Sequence, residues 1–251
     1  MIDLSGKRAL ITGGGRGLGR AIGAALATAG ARIEVLDLPD TLAAAALPEG
    51  WGAHPLDLTD PGAEAALTRV LDGFGGLDIL VANAGRVPPW RRIAALDLGE
   101  WDAVFGLNVR GVALCLKCAA PHLARAEQGS ALLMASINGY RAHPDQALYT
   151  ATKHAVLGLA RAAALDLGRE GVRVNALAPG PILTEALEGR IAARAAAGGP
   201  SLESALAALT GETALGRLAT EADVAHAAAF LSSPLAAGIT GICLPVEAGL
   251  A

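Results

Sequence analysis

Short apolar runs alternate with longer segments of helical periodicity along most of the chain. Runs of this kind are typical of strands that are buried on both faces of a parallel sheet. They predict seven strands, at residues 8–12, 32–36, 51–57, 77–82, 130–135, 173–178 and 242–246. Because strands and helices alternate, we expect an α/β fold with a doubly wound parallel sheet and helices on both faces.

The segments between the strands predict full helices at 20–27, 61–71, 101–123, 149–169 and 221–231. The second of these is expected to start with Asp60 as its N-cap and Pro61 at its first position. Residues 185–215 are rich in Ala, Gly and Leu, which predicts small helical pieces that form a lid over an apolar pocket. No repeat, linker or charge run divides the chain, so we expect 1–251 to form one domain.

Glycines cluster directly after the first predicted strand, at positions 13, 14, 15, 17 and 19. Glycine lets a backbone turn tightly and approach a pyrophosphate, and the helix that follows presents unpaired N–H groups to the anion. The spacing here is Gly13-x-x-x-Gly17-x-Gly19, not the G-x-G-x-x-G fingerprint, so a plain turn is the alternative interpretation.

Asp37 ends the second predicted strand, twenty residues after Gly17. An acid at this place can accept hydrogen bonds from both ribose hydroxyls of a dinucleotide, and it repels a 2′-phosphate. Asp37 therefore favours NAD(H) over NADP(H), whereas Arg16 points weakly the other way. The alternative is a solvated acid at a strand end.

Tyr149 and Lys153 are four residues apart, so they lie on one face of a predicted helix. A nearby ammonium lowers the pKa of a phenol, which could then exchange a proton with a substrate oxygen. Ser136 follows the fifth predicted strand, and its hydroxyl could bind the same oxygen. The spacing alone also occurs on many surface helices.

Other polar or small residues fall at the carboxyl ends of predicted strands, where ligands bind in open α/β sheets. Asn83, Ala84 and Gly85 follow the fourth strand, and the small residues would let a flat ring lie against the backbone. Asn108 lies inside an apolar helix, where an amide is costly unless it is hydrogen-bonded. We expect it to hold a water or a backbone carbonyl near Tyr149 and Lys153.

Composition narrows the class of protein. Hydrophobic residues make up 53% and charged residues 18%, as in globular chains, and a net charge of −4 with few aromatics argues against a nucleic-acid partner. No signal-peptide pattern and no run of about 18 apolar residues is present, so no membrane partner is expected. Three cysteines suit a reducing, cytoplasmic setting. Cys115 and Cys118 have a C-x-x-C spacing within an apolar helical stretch, so we interpret them as buried packing residues and expect no metal.

Taken together, these residues resemble the short-chain dehydrogenase/reductase family, in its short single-domain branch, over essentially the whole chain. The resemblance implies a Rossmann-like fold and hydride transfer between a secondary alcohol or ketone and C4 of a nicotinamide. Two places differ from the family pattern: Ala82 precedes Asn83, and Ala248 stands where glycine is usual. The motifs are Thr12-Gly-x-x-x-Gly17-x-Gly19, Asn83-Ala-Gly85, Asn108, Ser136, Tyr149-x-x-x-Lys153 and Pro179-Gly180.

The resemblance also implies roles for single residues. Tyr149 would be the general acid/base, and Lys153 would hold the nicotinamide ribose and lower the tyrosine pKa. Ser136 would bind the substrate oxygen, and Asn108 would anchor a proton-relay water. The expected cofactor contacts are Gly13, Arg16, Gly17, Leu18, Gly19, Asp37, Asp57, Leu58, Asn83, Ala84, Gly85, Tyr149, Lys153, Pro179, Gly180, Ile182 and Thr184. The family is usually tetrameric, so we expect a homotetramer with one interface at 101–123 and 149–169.

The substrate is expected to be a small alcohol or ketone. Its contacts would be Ser136, Asn138, His143 and Tyr149, since the segment between Ser136 and Tyr149 should form the pocket wall. Two other functions remain open at this point. One is reduction of a 3-oxoacyl thioester, and the other is a nicotinamide-binding sensor without turnover.

Overall fold

The sheet has seven parallel strands in the order β3-β2-β1-β4-β5-β6-β7. The structure is a computed structural model that describes residues 2–196 and 198–250. The predicted doubly wound parallel sheet is confirmed, and the strand order reverses between β1 and β4, where such sheets bind ligands. The strands are β1 Arg8–Thr12, β2 Arg32–Asp37, β3 Gly52–Pro55, β4 Ile79–Ala82, β5 Ser130–Met134, β6 Arg173–Pro179 and β7 Cys243–Val246.

Helices cover both faces of the sheet. The helices are α1 Gly17–Thr28, α2 Pro39–Ala44, α3 Ala63–Phe74, α4 Leu98–Phe105, α5 Val112–Leu123, α6 Ala147–Gly168, α7 Glu185–Ala196, α8 Leu202–Gly211 and α9 Glu221–Ser232. Short 3₁₀ turns occur at Ile93–Ala95, Ile137–Gly139 and Pro234–Ala236.

Successive strand residues face opposite sides of the sheet and so enter two separate cores. Leu36 and Leu80 pack with α3, α5 and α6 on one face. Val35 and Val81 pack with α1 and α9 on the other. This alternation with a period of two explains why the strands read as continuous apolar runs: both faces are covered.

Helix α3 starts two residues later than predicted, which corrects the expected N-cap. Gly62 is the N-cap and makes no side-chain capping bond. The backbone N–H of Ala63 donates to the carbonyl of Asp60 at 3.0 Å, so Asp60 and Pro61 belong to a turn before the helix. The proline restricts the backbone but does not decide the first helical residue here.

The long helix predicted at 101–123 is interrupted. It begins earlier, at α4, where the Asp97 carboxylate accepts hydrogen bonds from the backbone N–H groups of Gly99 and Glu100. A π-helical turn at Gly106–Gly111 then joins α4 to α5. Such turns insert one extra residue and are frequent at functional sites.

This combined helix, Leu98–Leu123, is long and apolar enough by composition to cross a membrane, with a mean hydropathy of 1.5 over 18 residues. Core helices of globular proteins share that composition, and half of this window is buried within the protein. Its second half packs against α3, α6 and β4. The helix is therefore weak evidence for a membrane span, and its packing is that of a core element.

A substitution at Gly19 tests how closely α1 packs on the glycine turn. A Cβ on Gly19 would lie 2.2 Å from the Gly13 carbonyl oxygen and 2.6 Å from Asn83 Nδ2. We expect Gly19→Ala to lower the free energy of unfolding by about 1–3 kcal/mol, because backbone atoms would have to move. Denaturant unfolding followed by circular dichroism measures this.

Gly73 provides the matched control, since it is an exposed helical glycine whose added Cβ would meet nothing within 4 Å. Gly73→Ala is expected to raise the free energy of unfolding by about 0.5–1 kcal/mol, because alanine restricts the unfolded chain. Equal stability of the two variants would show that α1 can move away from the turn at little cost.

Candidate active site

The glycine turn between β1 and α1 is tied to the end of β4 by Thr12 and Asn83. Gly13 and Gly17 have φ of 65° and 54°, values that favour glycine. The Asn83 side-chain amide donates to the carbonyls of Thr12 and Gly13, both at 3.0 Å. The Thr12 hydroxyl accepts from the backbone N–H groups of Asn83 and Ala84 at 3.1 and 3.0 Å. The Asn83 side chain thus holds the backbone of the glycine turn in place.

The first turn of α1 faces the carboxyl edge of the sheet without a side-chain cap. Arg16 is the N-cap residue, its backbone is extended, and it makes no capping bond. Its side chain is exposed. The free N–H groups and the lack of side chains at Gly17 and Gly19 fit a phosphate group, as expected for a dinucleotide site.

Asp37 lies at the carboxyl end of β2, directed toward the glycine turn. Its Oδ2 accepts from the Gly15 backbone N–H at 2.9 Å and its Oδ1 from the Leu38 N–H at 2.8 Å. A Cβ on Gly15 would lie 3.1 Å from that Oδ2. The carboxylate is therefore held beside the turn, where the sequence predicts that it binds the ribose hydroxyls of a dinucleotide.

The two residues expected to flank an adenine lie in different environments. Asp57 Oδ1 accepts from the backbone N–H and the hydroxyl of Thr59 at 2.8 and 2.7 Å. Leu58 is only 4% exposed and packs in the core with Leu36. Burial gives Leu58 a structural function, and a contact with the cofactor stays a prediction.

Ser136, Tyr149 and Lys153 come together at the carboxyl end of β5. Lys153 is 6% exposed, its Nζ lies 5.5 Å from the centre of the Tyr149 ring, and it donates to the Met134 carbonyl at 2.6 Å. Ser136 is close enough that a hydrogen bond between its side chain and that of Tyr149 acts on the phenol. A hydroxyl, a phenol and an amine therefore share one site.

Burial dominates the titration of this site. Loss of water raises the pKa of Tyr149, while the bond from Ser136 and the charge of Arg190 act against that rise. Burial also lowers the pKa of Lys153 to about 8. The lysine Nζ donates to the Met134 carbonyl, and Arg190 supplies a second positive charge that lowers the pKa of the phenol. A lowering of the tyrosine pKa by Lys153 stays a prediction.

The lowered pKa of Lys153 predicts how stability depends on pH. Its pKa is about 8 when folded and 10.5 in its ordinary state, so below pH 8 the folded protein carries the full cost of a buried charge. Between pH 8 and 10.5 the folded lysine loses its proton while the unfolded chain still binds one, so this cost disappears as the pH rises through that range. From pH 8 to pH 10.5 we expect the free energy of unfolding of the wild type, relative to that of Lys153→Met, to rise by about 3 kcal/mol. Denaturant unfolding at several pH values measures it, and a flat difference would contradict the lowered pKa.

Asn108 lies in the π-helical turn and is 1% exposed. Its Oδ1 accepts from the Arg86 backbone N–H at 2.8 Å, and its Nδ2 donates to the Arg86 carbonyl at 2.8 Å. Its Nδ2 also lies 3.4 Å from the hydroxyl of Thr152, which donates to the Tyr149 carbonyl at 2.8 Å. Asn108 therefore holds a backbone carbonyl, as expected, and Thr152 links it to the Tyr149 backbone.

Removing Asn108 leaves both backbone groups of Arg86 unpaired. We expect Asn108→Ala to lower the free energy of unfolding by about 2–4 kcal/mol and also to lower turnover. Asn175→Ala is the control, because Asn175 is a buried asparagine on β6 that also binds backbone groups. Its side chain donates to the Ile239 carbonyl at 2.9 Å and accepts from the Ile242 N–H at 3.2 Å. We expect both variants to lose similar stability and only Asn108→Ala to lose turnover, which would separate the catalytic function of Asn108 from its structural one. Equal turnover in the two variants would contradict a catalytic function for Asn108.

Residues 13–251 match a family model described as enoyl-(acyl carrier protein) reductase, which includes short-chain dehydrogenases/reductases. The chain belongs to the short-chain dehydrogenase/reductase family. The members of this family that it matches are oxidoreductases.

Three relatives cover nearly the whole chain. A 2,5-dichloro-2,5-cyclohexadiene-1,4-diol dehydrogenase of Sphingobium indicum is 35% identical, and the alignment covers 99% of this chain and 98% of the relative's chain. A cis-4-hydroxycyclohexanecarboxylate dehydrogenase of Sinomonas cyclohexanicum is 35% identical, with 96% and 95% covered. A 3-oxoacyl-[acyl-carrier-protein] reductase of Staphylococcus aureus is 33% identical, with 97% and 98% covered.

A solved structure agrees over the same length. The carveol dehydrogenase of Mycobacterium avium, crystallised in complex with NAD, is 30% identical, and each chain is 99% covered with a TM-score of 0.90. The predicted Rossmann-like fold is therefore confirmed for this short-chain dehydrogenase/reductase.

Asn138, an expected substrate contact of this short-chain dehydrogenase/reductase, is buried and bonded within the protein. It is 4% exposed, and its side-chain amide donates to Gln146 Oε1 at 2.9 Å and to the Thr150 hydroxyl at 3.2 Å. These bonds join the 3₁₀ turn after Ser136 to the start of α6. Its side-chain NH₂ group is engaged by these two bonds, and a contact between Asn138 and the substrate stays a prediction.

His143 and Tyr149 line different pockets. Tyr149 lines a small pocket with apolar residues such as Pro88 and Leu148 and with polar ones such as Glu100. His143 lines a wider groove that includes His154, and its Nδ1 is buried without a hydrogen-bond partner in the described chain. A direct contact between His143 and a substrate that reaches Tyr149 stays a prediction.

The residues expected to hold the nicotinamide end follow β6 in the loop that leads to α7. The Gly180 N–H donates to the Val246 carbonyl at 3.0 Å, and a Cβ on Gly180 would lie 2.6 Å from Glu247 Cβ. Ile182 is 7% exposed and pairs with Ala219. The Thr184 hydroxyl accepts from the Leu187 N–H at 3.3 Å at the start of α7. The loop and α7 are thus connected directly.

Sequence reasoning assigned no function to three candidates, although Thr12 is part of the family motif. Thr12 anchors the end of β4, and Thr152 links Asn108 to the tyrosine backbone. Arg190 is the third: its charge acts on Tyr149 although it lies 41 residues further along the chain. The spacing of Leu187, Arg190 and Ile191 was a usable signal, because it places the arginine on an apolar helix face.

Proposed function

We propose that this chain interconverts a secondary alcohol and a ketone with NAD(H), and that Tyr149 is its general acid/base. The observation that carries the proposal is the convergence of Ser136, Tyr149 and Lys153 at one strand end. The glycine turn with its uncapped helix lies at the same edge of the sheet and suits the phosphates of a dinucleotide.

Each of these side chains has a task that its contacts support. When bound, NAD(H) takes up or supplies the hydride. The Ser136 hydroxyl binds the substrate oxygen and orients it beside the Tyr149 phenol, which gives or takes the proton at that oxygen. Lys153 supplies a positive charge from a buried position, and Asn108 holds the backbone that leads from β4 into the site.

The raised pKa of Tyr149 favours the protonated phenol near neutral pH. A protonated phenol is the form that donates a proton to a ketone, whereas alcohol oxidation needs the phenolate. The positive charges of Arg190 and of the oxidised nicotinamide ring favour the phenolate. Oxidation is therefore expected to become faster as pH rises, and alkaline assays suit this direction.

NAD(H) is proposed over NADP(H) because of the position of Asp37. Its carboxylate is held beside Gly15 by a 2.9 Å bond. A second negative charge from a 2′-phosphate would be repelled there. The NAD bound to the carveol dehydrogenase of the comparison supports the same cofactor.

The substrate is proposed to be a cyclic secondary alcohol. Two relatives are named for hydroxylated six-membered rings, and a structural neighbour is named for carveol. The alternative is a 3-oxoacyl thioester, supported by the Staphylococcus aureus relative.

A substrate panel tests the proposal. The purified protein is assayed at alkaline pH with NAD or NADP and cyclohexanol, cyclohexane-1,4-diol or carveol, and at neutral pH with acetoacetyl thioester and either reduced cofactor. Oxidation of ring alcohols with NAD supports the proposal, and activity confined to the thioester supports the alternative. Tight NADH binding without any absorbance change across a broad panel would favour a sensor without turnover.

The chain is further proposed to work as a homotetramer in the cytoplasm. The exposed face of α6 carries Leu165, which is 79% exposed, and a large apolar side chain on a long helix suits burial against a second copy. The three free cysteines support the cytoplasm as the compartment. Size-exclusion chromatography with light scattering tests the tetramer, and a monomer at micromolar concentration would contradict it.

A further inference from the structure

One face of α7 is directed at the protein interior. Leu187 and Ile191 are 7% and 3% exposed, and Arg194 lies over the ring of Trp90 at 5.0 Å. Arg190 falls between them, at the spacing that puts residues on the same helix face. The arginine therefore points inward from the segment that the sequence predicts to be a lid.

Arg190 has no acidic partner among the described residues. Its Nε is buried and makes no hydrogen bond, and no ion pair in the described part of the chain includes it. An uncompensated guanidinium at a half-buried position is costly unless something else supplies the negative charge. The charge of Arg190 also acts on Tyr149, so the guanidinium is within electrostatic range of the phenol.

The carboxylates near Tyr149 do not balance this charge. Glu100 lies in the same small pocket, but it pairs with Arg91 at 3.0 Å. Asp145 also lines that pocket and is exposed. Lys153 adds a second buried amine, and an oxidised nicotinamide would add a further positive charge. Among the described residues, no carboxylate therefore balances the positive charge of Arg190.

We propose that Arg190 binds a carboxylate on the substrate, so that the preferred substrates are cyclic alcohols that carry an acid group. This inference rests on the proposed function, because it assigns the substrate class of the same site. A guanidinium pairs with a carboxylate through two parallel hydrogen bonds, which would fix the ring as well as attract it. The pyrophosphate of a dinucleotide belongs at the glycine turn, away from the nicotinamide that would react beside Tyr149.

The test compares two substrates in three proteins. The kcat/KM with NAD is measured for 4-hydroxycyclohexanecarboxylate and for its neutral methyl ester in the wild type, in Arg190→Leu and in Arg194→Leu. The last variant removes an arginine from the same helix face one turn further on. We expect the wild type to prefer the acid, and Arg190→Leu to lower that preference about 10- to 100-fold, the effect of one charged hydrogen-bond pair. Arg194→Leu should keep it, and Arg190→Lys should restore part of it.

Binding gives a second measurement that does not need turnover. Isothermal titration calorimetry with cyclohexanecarboxylate on the NADH-loaded protein should show weaker binding in Arg190→Leu than in Arg194→Leu. NADH affinity is measured in parallel.

Each result decides the inference. An unchanged preference, an equal loss for acid and ester, or a loss of NADH affinity alone would overturn it. If the wild type oxidises the ester and does not prefer the acid, the inference fails and the proposed function stands. If neither compound is oxidised, the proposed substrate class fails, and calorimetry alone decides whether Arg190 binds a carboxylate.

Discussion

Replacing Tyr149 with phenylalanine is expected to lower kcat for alcohol oxidation by about 1,000-fold, within the range that a general acid or base contributes. The substitution removes one hydroxyl and keeps the ring. Binding of NADH should be retained, because the glycine turn and Asp37 hold the cofactor at a distance from the phenol. Steady-state kinetics and NADH fluorescence measure the two quantities.

Tyr140→Phe is the control for this variant. Tyr140 is the only other tyrosine in the chain, lies on the same segment and is 39% exposed. It should keep its turnover within a few-fold of the wild type. Near-normal rates in Tyr149→Phe would remove that phenol from the mechanism and leave only a nucleotide-binding fold.

The second large effect concerns the cofactor. We expect kcat/KM with NAD to exceed that with NADP by about 100-fold or more, since like charges placed side by side cost several kcal/mol. Asp37→Asn should lower this ratio at least about tenfold, because it removes the charge and keeps an oxygen for the Gly15 N–H. Kinetics with both cofactors at fixed ionic strength measure the ratio.

Asp40→Asn is the matched control for the cofactor experiment, since Asp40 is an exposed acid in the first turn of α2. Its cofactor ratio should stay at the wild-type value. A wild type that prefers NADP would overturn the assignment, and Arg16 would then be the first residue to examine.

Most of the fold could be predicted because the strands are buried on both faces. Runs such as Ile79–Ala82 contain only apolar residues, so their type is clear from composition alone. The edge strand Gly52–Pro55 is shorter than predicted, since only alternate residues are partly covered there. The start of α3 was wrong because a proline preference is weaker than the turn geometry around Asp60.

The site could be predicted as far as it depends on strand ends. Ser136 and Asn83 follow strands and Asp37 ends one, so the parallel sheet brings all three to one edge whatever the helices do. Arg190 and Asn138 could not be assigned in this way. Their functions depend on which way a helix or loop packs, and local spacing does not determine that.

The π-helical turn at Gly106–Gly111 has a consequence for comparing this chain with others. One additional residue advances the following helix by about 100°, so the apolar stripe of α5 is out of phase with that of α4. Losing a single position within the turn would swing Asn108 away from Arg86 and re-aim every α5 side chain. A one-residue gap at this point in an alignment therefore marks a rotated helix, and residues on its two sides should be matched separately.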